Sequence, residues 1–138
     1  ILAGGHDLGN HSENHKNMSQ ISNDDKEQEL MKVHEKVKNL TGYEMFLFRP
    51  PYGDYDNDVI KTATKCGYYP IQWDVDSLDW KLRNQKRIVK KVLKEAEDGD
   101  IILMHDIFDT SVSAALELID ILQREGYTFV TADELMIE

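Results

Sequence analysis

The apolar positions of this chain change period several times between its two ends. Leu30, Val33, Val37 and Leu40 recur at helical spacing, with Asn23 or Asp24 placed to cap the start and Gly42 to close the helix. Met45-Phe46-Leu47-Phe48 is apolar throughout, as a strand covered on both faces is. A stiff loop follows, Arg49-Pro50-Pro51-Tyr52-Gly53, and then Asp56 or Asn57 opens a helix that runs through Lys65 to Gly67. Tyr69 to Trp73 reads as the next strand, with Pro70 at its beginning, and Asp74 to Trp80 as a polar loop. Ile88, Val89, Val92, Leu93 and Ala96 mark a basic amphipathic helix. Asp100 to Met104 is a strand that ends in His105-Asp106. Val112, Ala115, Leu116, Ile119 and Leu122 stripe another helix, stopped at Gly126. Tyr127 to Val130 is the last predicted strand, and Asp133 to Met136 a short helix.

Strands alternating with helices across short connections predict an α/β fold, a parallel sheet or barrel with outer helices. The polar clusters after Phe48, Trp73 and Met104 fall at the C-terminal ends of predicted strands, where parallel α/β folds gather ligands and catalytic groups. No internal repeat, low-complexity tract or linker interrupts the pattern.

Composition narrows the function classes. A length of 138 residues allows one domain, and 41% hydrophobic with 30% charged residues is the make-up of a globular protein. The net charge of −10 argues against nucleic acid and anionic membranes as partners, and leaves an uncharged or weakly charged polymer compatible. No apolar run approaches the roughly 20 residues of a membrane span. The single Cys66 can form no internal disulfide. The opening Ile1-Leu2-Ala3-Gly4-Gly5 reads as the last turn of a helix closed by glycines, so the natural start is expected upstream.

The chemistry begins at Gly9-Asn10-His11-Ser12-Glu13-Asn14-His15. Imidazoles four residues apart can take adjacent positions around one metal ion. Gly, Asn and Ser disfavour a helix here, so the pair is expected on a loop or strand end, open to substrate. Ser12 stands where a helical zinc protease carries Glu directly after its first His, which argues against that class. Spacing alone is equally served by a pair of solvated loop histidines.

His11-Ser12-Glu13-Asn14-His15, Arg49-Pro50-Pro51-Tyr52-Gly53, Asp76-Ser77-Leu78-Asp79-Trp80 and Leu103-Met104-His105 together resemble four successive motifs of the polysaccharide deacetylases, the NodB-homology group or carbohydrate esterase family 4. The resemblance runs from Asp7 to about Leu135. It implies the C-terminal two-thirds of a distorted (β/α) barrel, with residues 1–138 forming a partial domain. It implies His11 and His15 as ligands of a divalent metal, most often zinc, with Ser12 orienting their loop. Arg49 would tune the catalytic base, and Tyr52, stiffened by Pro51 and its neighbour, would offer its backbone N–H to the oxyanion. His105 would be the general acid, Asp79 the carboxylate that holds it, and Trp80 and Leu103 walls of the acetyl pocket. The implied activity is removal of acetyl groups from an N-acetylated glycan such as peptidoglycan or a chitin-like polymer, with O-acetylated xylan a minor option. An extracellular or cell-wall location goes with such substrates.

One family motif is absent. Thr-Phe-Asp-Asp-Gly, which carries the base and a third metal ligand, occurs nowhere in the sequence, and Asp24-Asp25 lies downstream of the histidines in a polar helix start. The first strands are therefore expected to be missing, which would uncover apolar surface and favour a homodimer. A carbohydrate-binding or structural remnant without catalysis is the competing expectation.

The remaining candidates have plainer readings. His6 adjoins a glycine turn, His34 lies beside the apolar stripe of the first full helix, and Cys66 suits a small buried residue. The basic run Lys86–Lys94 suits a solvated helix face. Asp74 and Asp76 are alternatives to Asp79, and Tyr43, Tyr55 and Trp73 suit either sugar stacking or the core.

Overall fold

The structure, a computed structural model, describes residues 1–136, which divide into two compact units, the first over residues 1–72 and the second from residue 73 onward. Both units combine a pair of parallel strands with helices, so the fold class is α/β.

In the first unit, helix α1 (Asn23–Thr41) is capped one residue before the predicted Asn23. Ser22 takes the cap, its hydroxyl accepting from the Asp25 N–H at 3.1 Å, and Gly42 ends the helix with φ 75. Strand β1 (Leu47–Phe48) pairs with β2 (Tyr69–Pro70), and α2 (Asn57–Lys65) is capped by Asp56, as the pattern predicts. Both strands are shorter than predicted. Proline is tolerated in this ladder because Tyr69 and Ile71 donate to Phe46 and Phe48 at 2.8 Å, and the intervening Pro70 has no bond to make there. The segment before His11 runs along the same sheet: Asn10 bridges Phe48 in parallel, and its N–H reaches the Leu47 carbonyl at 2.7 Å. Met18, Leu30, Met45, Phe48, Val59, Ala63 and Tyr68 form the core beneath it.

In the second unit, β3 (Val75–Asp76) pairs with β4 (Ile102–Leu103). Here the predicted polar loop Asp74–Trp80 is corrected. Val75 is buried against Ile88 and Val92, which draws this short segment into the sheet and places Asp79 just past its C-terminal end. Helix α3 (Asp79–Leu82) follows at once, then α4 (Gln85–Glu95), α5 (Asp109–Arg124) and α6 (Ala132–Leu135).

Two further readings are corrected. On α5 the buried face is Ser111, Ala114, Leu118 and Leu122, whereas Val112, Leu116 and Ile119 of the predicted stripe are exposed. A sequence with apolar residues on more than one face does not reveal which face docks. Tyr127–Val130 forms no strand, and Phe129 and Val130 lie exposed. No helix among the described residues is long and apolar enough to cross a membrane.

Candidate active site

The first unit aims the imidazole pair. His11 and His15 stand edge to face with ring centroids 4.9 Å apart, and His15 meets the Tyr52 ring in the same way at 4.6 Å. The Arg49 carbonyl lies 2.6 Å from His11 Nδ1. A carbonyl only accepts, so Nδ1 carries the proton and Nε2 holds the lone pair of the neutral ring. Fixing one ring nitrogen on a backbone carbonyl is how metal-binding histidines are commonly oriented. The loop is not helical: Ser12 has φ 67 and His15 φ 53, both in the left-handed region.

Buried polar groups support that loop. The Asn10 side chain donates to the Leu30 carbonyl at 2.8 Å and to the Tyr68 hydroxyl at 2.9 Å, and accepts from the Ser12 N–H at 3.0 Å. His34, on α1, reaches the same Tyr68 hydroxyl at 2.8 Å, a structural contact in keeping with its half-buried place. Ser12 orients the loop through this backbone N–H, while its buried hydroxyl has no hydrogen-bond partner among the described residues.

Strand β1 delivers the next group. Arg49 donates its backbone N–H to the Asn10 carbonyl at 2.9 Å and a guanidinium N–H to the Gln72 carbonyl at 3.1 Å. Burial lowers the guanidinium's pKa below its ordinary value. After the buried Pro50 and Pro51, Tyr52 turns left-handed at φ 61 and lies 70% exposed. The turn closes through Gly53 and Asp54 N–H groups, and the Tyr52 N–H finds no acceptor among the described residues. An unused backbone donor is the kind of group that can stabilise an oxyanion.

The second unit holds a histidine–carboxylate pair. Asp79 is fully buried and takes His105 Nδ1 on Oδ1 at 2.8 Å and the His105 backbone N–H on Oδ2 at 2.7 Å. The Trp80 N–H adds a third bond at 2.9 Å. Burial pushes the Asp79 carboxyl's pKa up, but the His105 side chain and backbone, Ser111 and Trp80 outweigh it and hold the carboxyl below its ordinary value. Asp79 therefore stands against His105; Asp74 accepts from Ile101 and Asp76 from Leu78 instead. Trp80 is half exposed and Leu103 half buried on β4. Cys66 has its thiol pKa pushed up by burial and carries no sign of a nucleophile.

The donor set fits a borderline metal in part. Imidazoles suit zinc, and the edge-to-face pair presents them close together. Among the described residues, however, no group of three His, Cys, Asp or Glu side chains could hold an ion.

Comparison with known proteins gives the class. Residues 1–71 match the polysaccharide deacetylase family model. The peptidoglycan-N-acetylglucosamine deacetylase PgdA of Listeria monocytogenes is 40% identical over 134 residues, covering 97% of this chain and 28% of the relative. The peptidoglycan-N-acetylmuramic acid deacetylase PdaC of Bacillus subtilis is 38% identical over 135 residues, again 28% of its length. The solved structure of that PdaC superimposes with a TM-score of 0.91 at 36% identity, over 98% of this chain and 65% of the other. A CE4 family pseudoenzyme from Bacillus anthracis superimposes with a TM-score of 0.92 at 30% identity, over 98% and 48%. The chain belongs to the polysaccharide deacetylase family, and its fold is that of part of such a deacetylase. It spans well under a third of these two curated relatives.

Proposed function

We propose that the chain serves the hydrolytic removal of acetyl groups from the N-acetylated sugars of peptidoglycan, with a divalent metal, most simply zinc, at His11 and His15. The observation that carries the reading is the buried Asp79 carboxylate bonded to both the ring and the backbone N–H of His105. A carboxylate in that place keeps the imidazole in one orientation with its Nδ1 proton fixed and its other ring nitrogen free to face a substrate, which is the positioning a general acid needs. His105 would give its proton to the departing amine. The Tyr52 N–H would bind the developing oxyanion, and the exposed Trp80 with the half-buried Leu103 would seat the acetyl methyl. An ion held by His11 and His15 would supply Lewis acidity, polarising the carbonyl and lowering the pKa of water to about 7. The substrate preference is supported by the names of the relatives, both of which act on peptidoglycan.

A second reading has its own support. The described residues hold no three-ligand metal cluster, and one structural neighbour is a pseudoenzyme. The chain would then bind glycan without cleaving it. Acetate release from peptidoglycan by the natural-length, zinc-supplemented protein decides between them. Release that His105→Ala lowers by about a hundredfold or more supports catalysis by this route. No acetate from N-acetylated glycan, with glycan binding retained, supports the second reading.

A further inference from the structure

The left-handed turns at Ser12 and His15 raise a question of support. Neither residue is a glycine or asparagine, and each such turn costs about 1–2 kcal/mol for an ordinary side chain. The Asn10 side chain secures the first turn. The second is gripped from α1 mainly by Glu29, while Lys36 of the same helix donates to the Glu13 carboxylate. The Glu29 backbone carbonyl accepts from the Glu13 N–H at 3.1 Å. Its carboxylate accepts from the Asn14 N–H at 2.7 Å and from the Asn14 side-chain amide at 2.8 Å, and meets Lys16 Nζ at 3.0 Å. Residues on both sides of His15 are thus tied to one carboxylate, itself only 3% exposed.

We propose that Glu29 is the positioning residue of the imidazole pair: from helix α1 it fixes the Asn14 backbone, and so the turn that sets the His15 ring against His11.

The placement of a charge here is otherwise unfavourable. Glu29 precedes Leu30 on the buried side of α1, where an apolar residue would extend the core. Burial of a carboxylate is costly unless it is paired and hydrogen-bonded. An apolar residue at this position, in turn, would strand the Asn14 N–H without its acceptor. The fold keeps the charge where it satisfies the loop. Burial works to raise the Glu29 pKa, and the bonds from Asn14 and Lys16 more than offset it, leaving the carboxyl below its ordinary value. Glu29 touches neither imidazole in any of these bonds; it acts through Asn14.

The consequence for metal binding rests on the proposed function, whereas the positioning itself does not, and the test separates them. The parent chain, Glu29→Ala, Glu29→Gln, Asn14→Ala and His11→Ala are titrated with Zn²⁺ alone by calorimetry at neutral pH. The contact between the His11 and His15 rings, and protection of the Asn14 amide, are read by NMR without metal. Glu29→Ala is expected to lose the ring contact and Asn14 protection, and to weaken zinc binding about tenfold or more. Glu29→Gln keeps an acceptor for the Asn14 N–H, and is expected to retain the contact and most of the affinity. Such rescue would not follow if the charge mattered only to overall stability. Should Glu29→Ala fail to fold, Asn14→Ala, at an exposed position, is expected to show the same losses in smaller degree. A folded Glu29→Ala or Asn14→Ala chain with unchanged ring contact and unchanged zinc affinity overturns the proposal. Zinc binding that is absent from the parent, or indifferent to His11→Ala, overturns the metal reading alone, and the NMR contact still decides on Glu29.

Discussion

In the first unit the imidazoles lie exposed while the groups that aim them sit on other elements: the buried Asn10 beside β1, the buried Glu29 on α1 and the carbonyl of the half-buried Arg49 after β1. In the second unit one buried carboxylate aims its imidazole directly, and three N–H groups converge on it. The first arrangement is distributed, the second concentrated. Distribution suits a loop that must carry left-handed turns and leave its rings open to a ligand. Concentration suits a single ring that one residue can hold in one orientation.

The contrast predicts unequal sensitivity, greatest at Asp79. Asp79→Ala leaves the His105 N–H, His105 Nδ1 and the Trp80 N–H without their acceptor at a fully buried position. Each stranded donor costs about 1–3 kcal/mol, so the loss in a urea unfolding experiment should be about 3 kcal/mol or more. Asp79→Asn preserves the shape but removes the charge, and under the proposed function should lower acetate release about a hundredfold or more. A loss in stability below about 1 kcal/mol for Asp79→Ala would mean that solvent replaces the carboxylate, and the contrast between the units would fail.

How far each arrangement shows in the sequence follows the same division. His11, His15, Arg49, Tyr52, Asp79 and His105 sit in compact motifs whose spacing can be read directly, and the long helices announced themselves through caps at Asp56 and Gly42. Asn10 and Glu29 could not be read this way, because their partners lie 20 and 15 residues away along the chain. One signal was present: Glu29 adjoins Leu30 on the apolar side of α1, and a charge inside an apolar stripe implies a buried partner. The short β3 was obscured because only Val75 in it is apolar and buried, too little for a period to emerge. The α5 face was misread because its buried side includes Ser111 and Ala114, which hydrophobicity underrates.

Acid sharpens the comparison at an intermediate scale. Both Glu29 and Asp79 have carboxyl pKa values lowered on folding, from ordinary values of 4.5 and 3.8. Stability from such a group is whole above its unfolded value and is lost as pH falls through its folded one. The melting temperature should therefore hold steady above pH 4.5, decline first through the Glu29 contribution, and then decline further below 3.8 through Asp79. Glu29→Gln should flatten the upper part of this decline and Asp79→Asn the lower part. A profile whose slope neither substitution changes would show that other carboxylates govern acid unfolding.

The smallest effect expected is at Lys16, and it asks what holds a buried carboxylate in a distributed site. Lys16 meets Glu29 at 3.0 Å with its own side chain 46% exposed, so solvent screens much of the attraction. The two Asn14 bonds are short and involve a charged acceptor, which makes them the stronger part of the grip. Lys16→Met keeps the aliphatic stem and removes the charge. It should destabilise the chain by less than about 1 kcal/mol, an effect that shrinks as salt is added, and should leave the His11–His15 ring contact in place. A loss as large as that of Glu29→Ala would shift the weight from hydrogen bonding to charge. Glu29 would then depend on one partner residue, much as Asp79 depends on His105 for two of its bonds, and the two units would differ less than their geometry indicates.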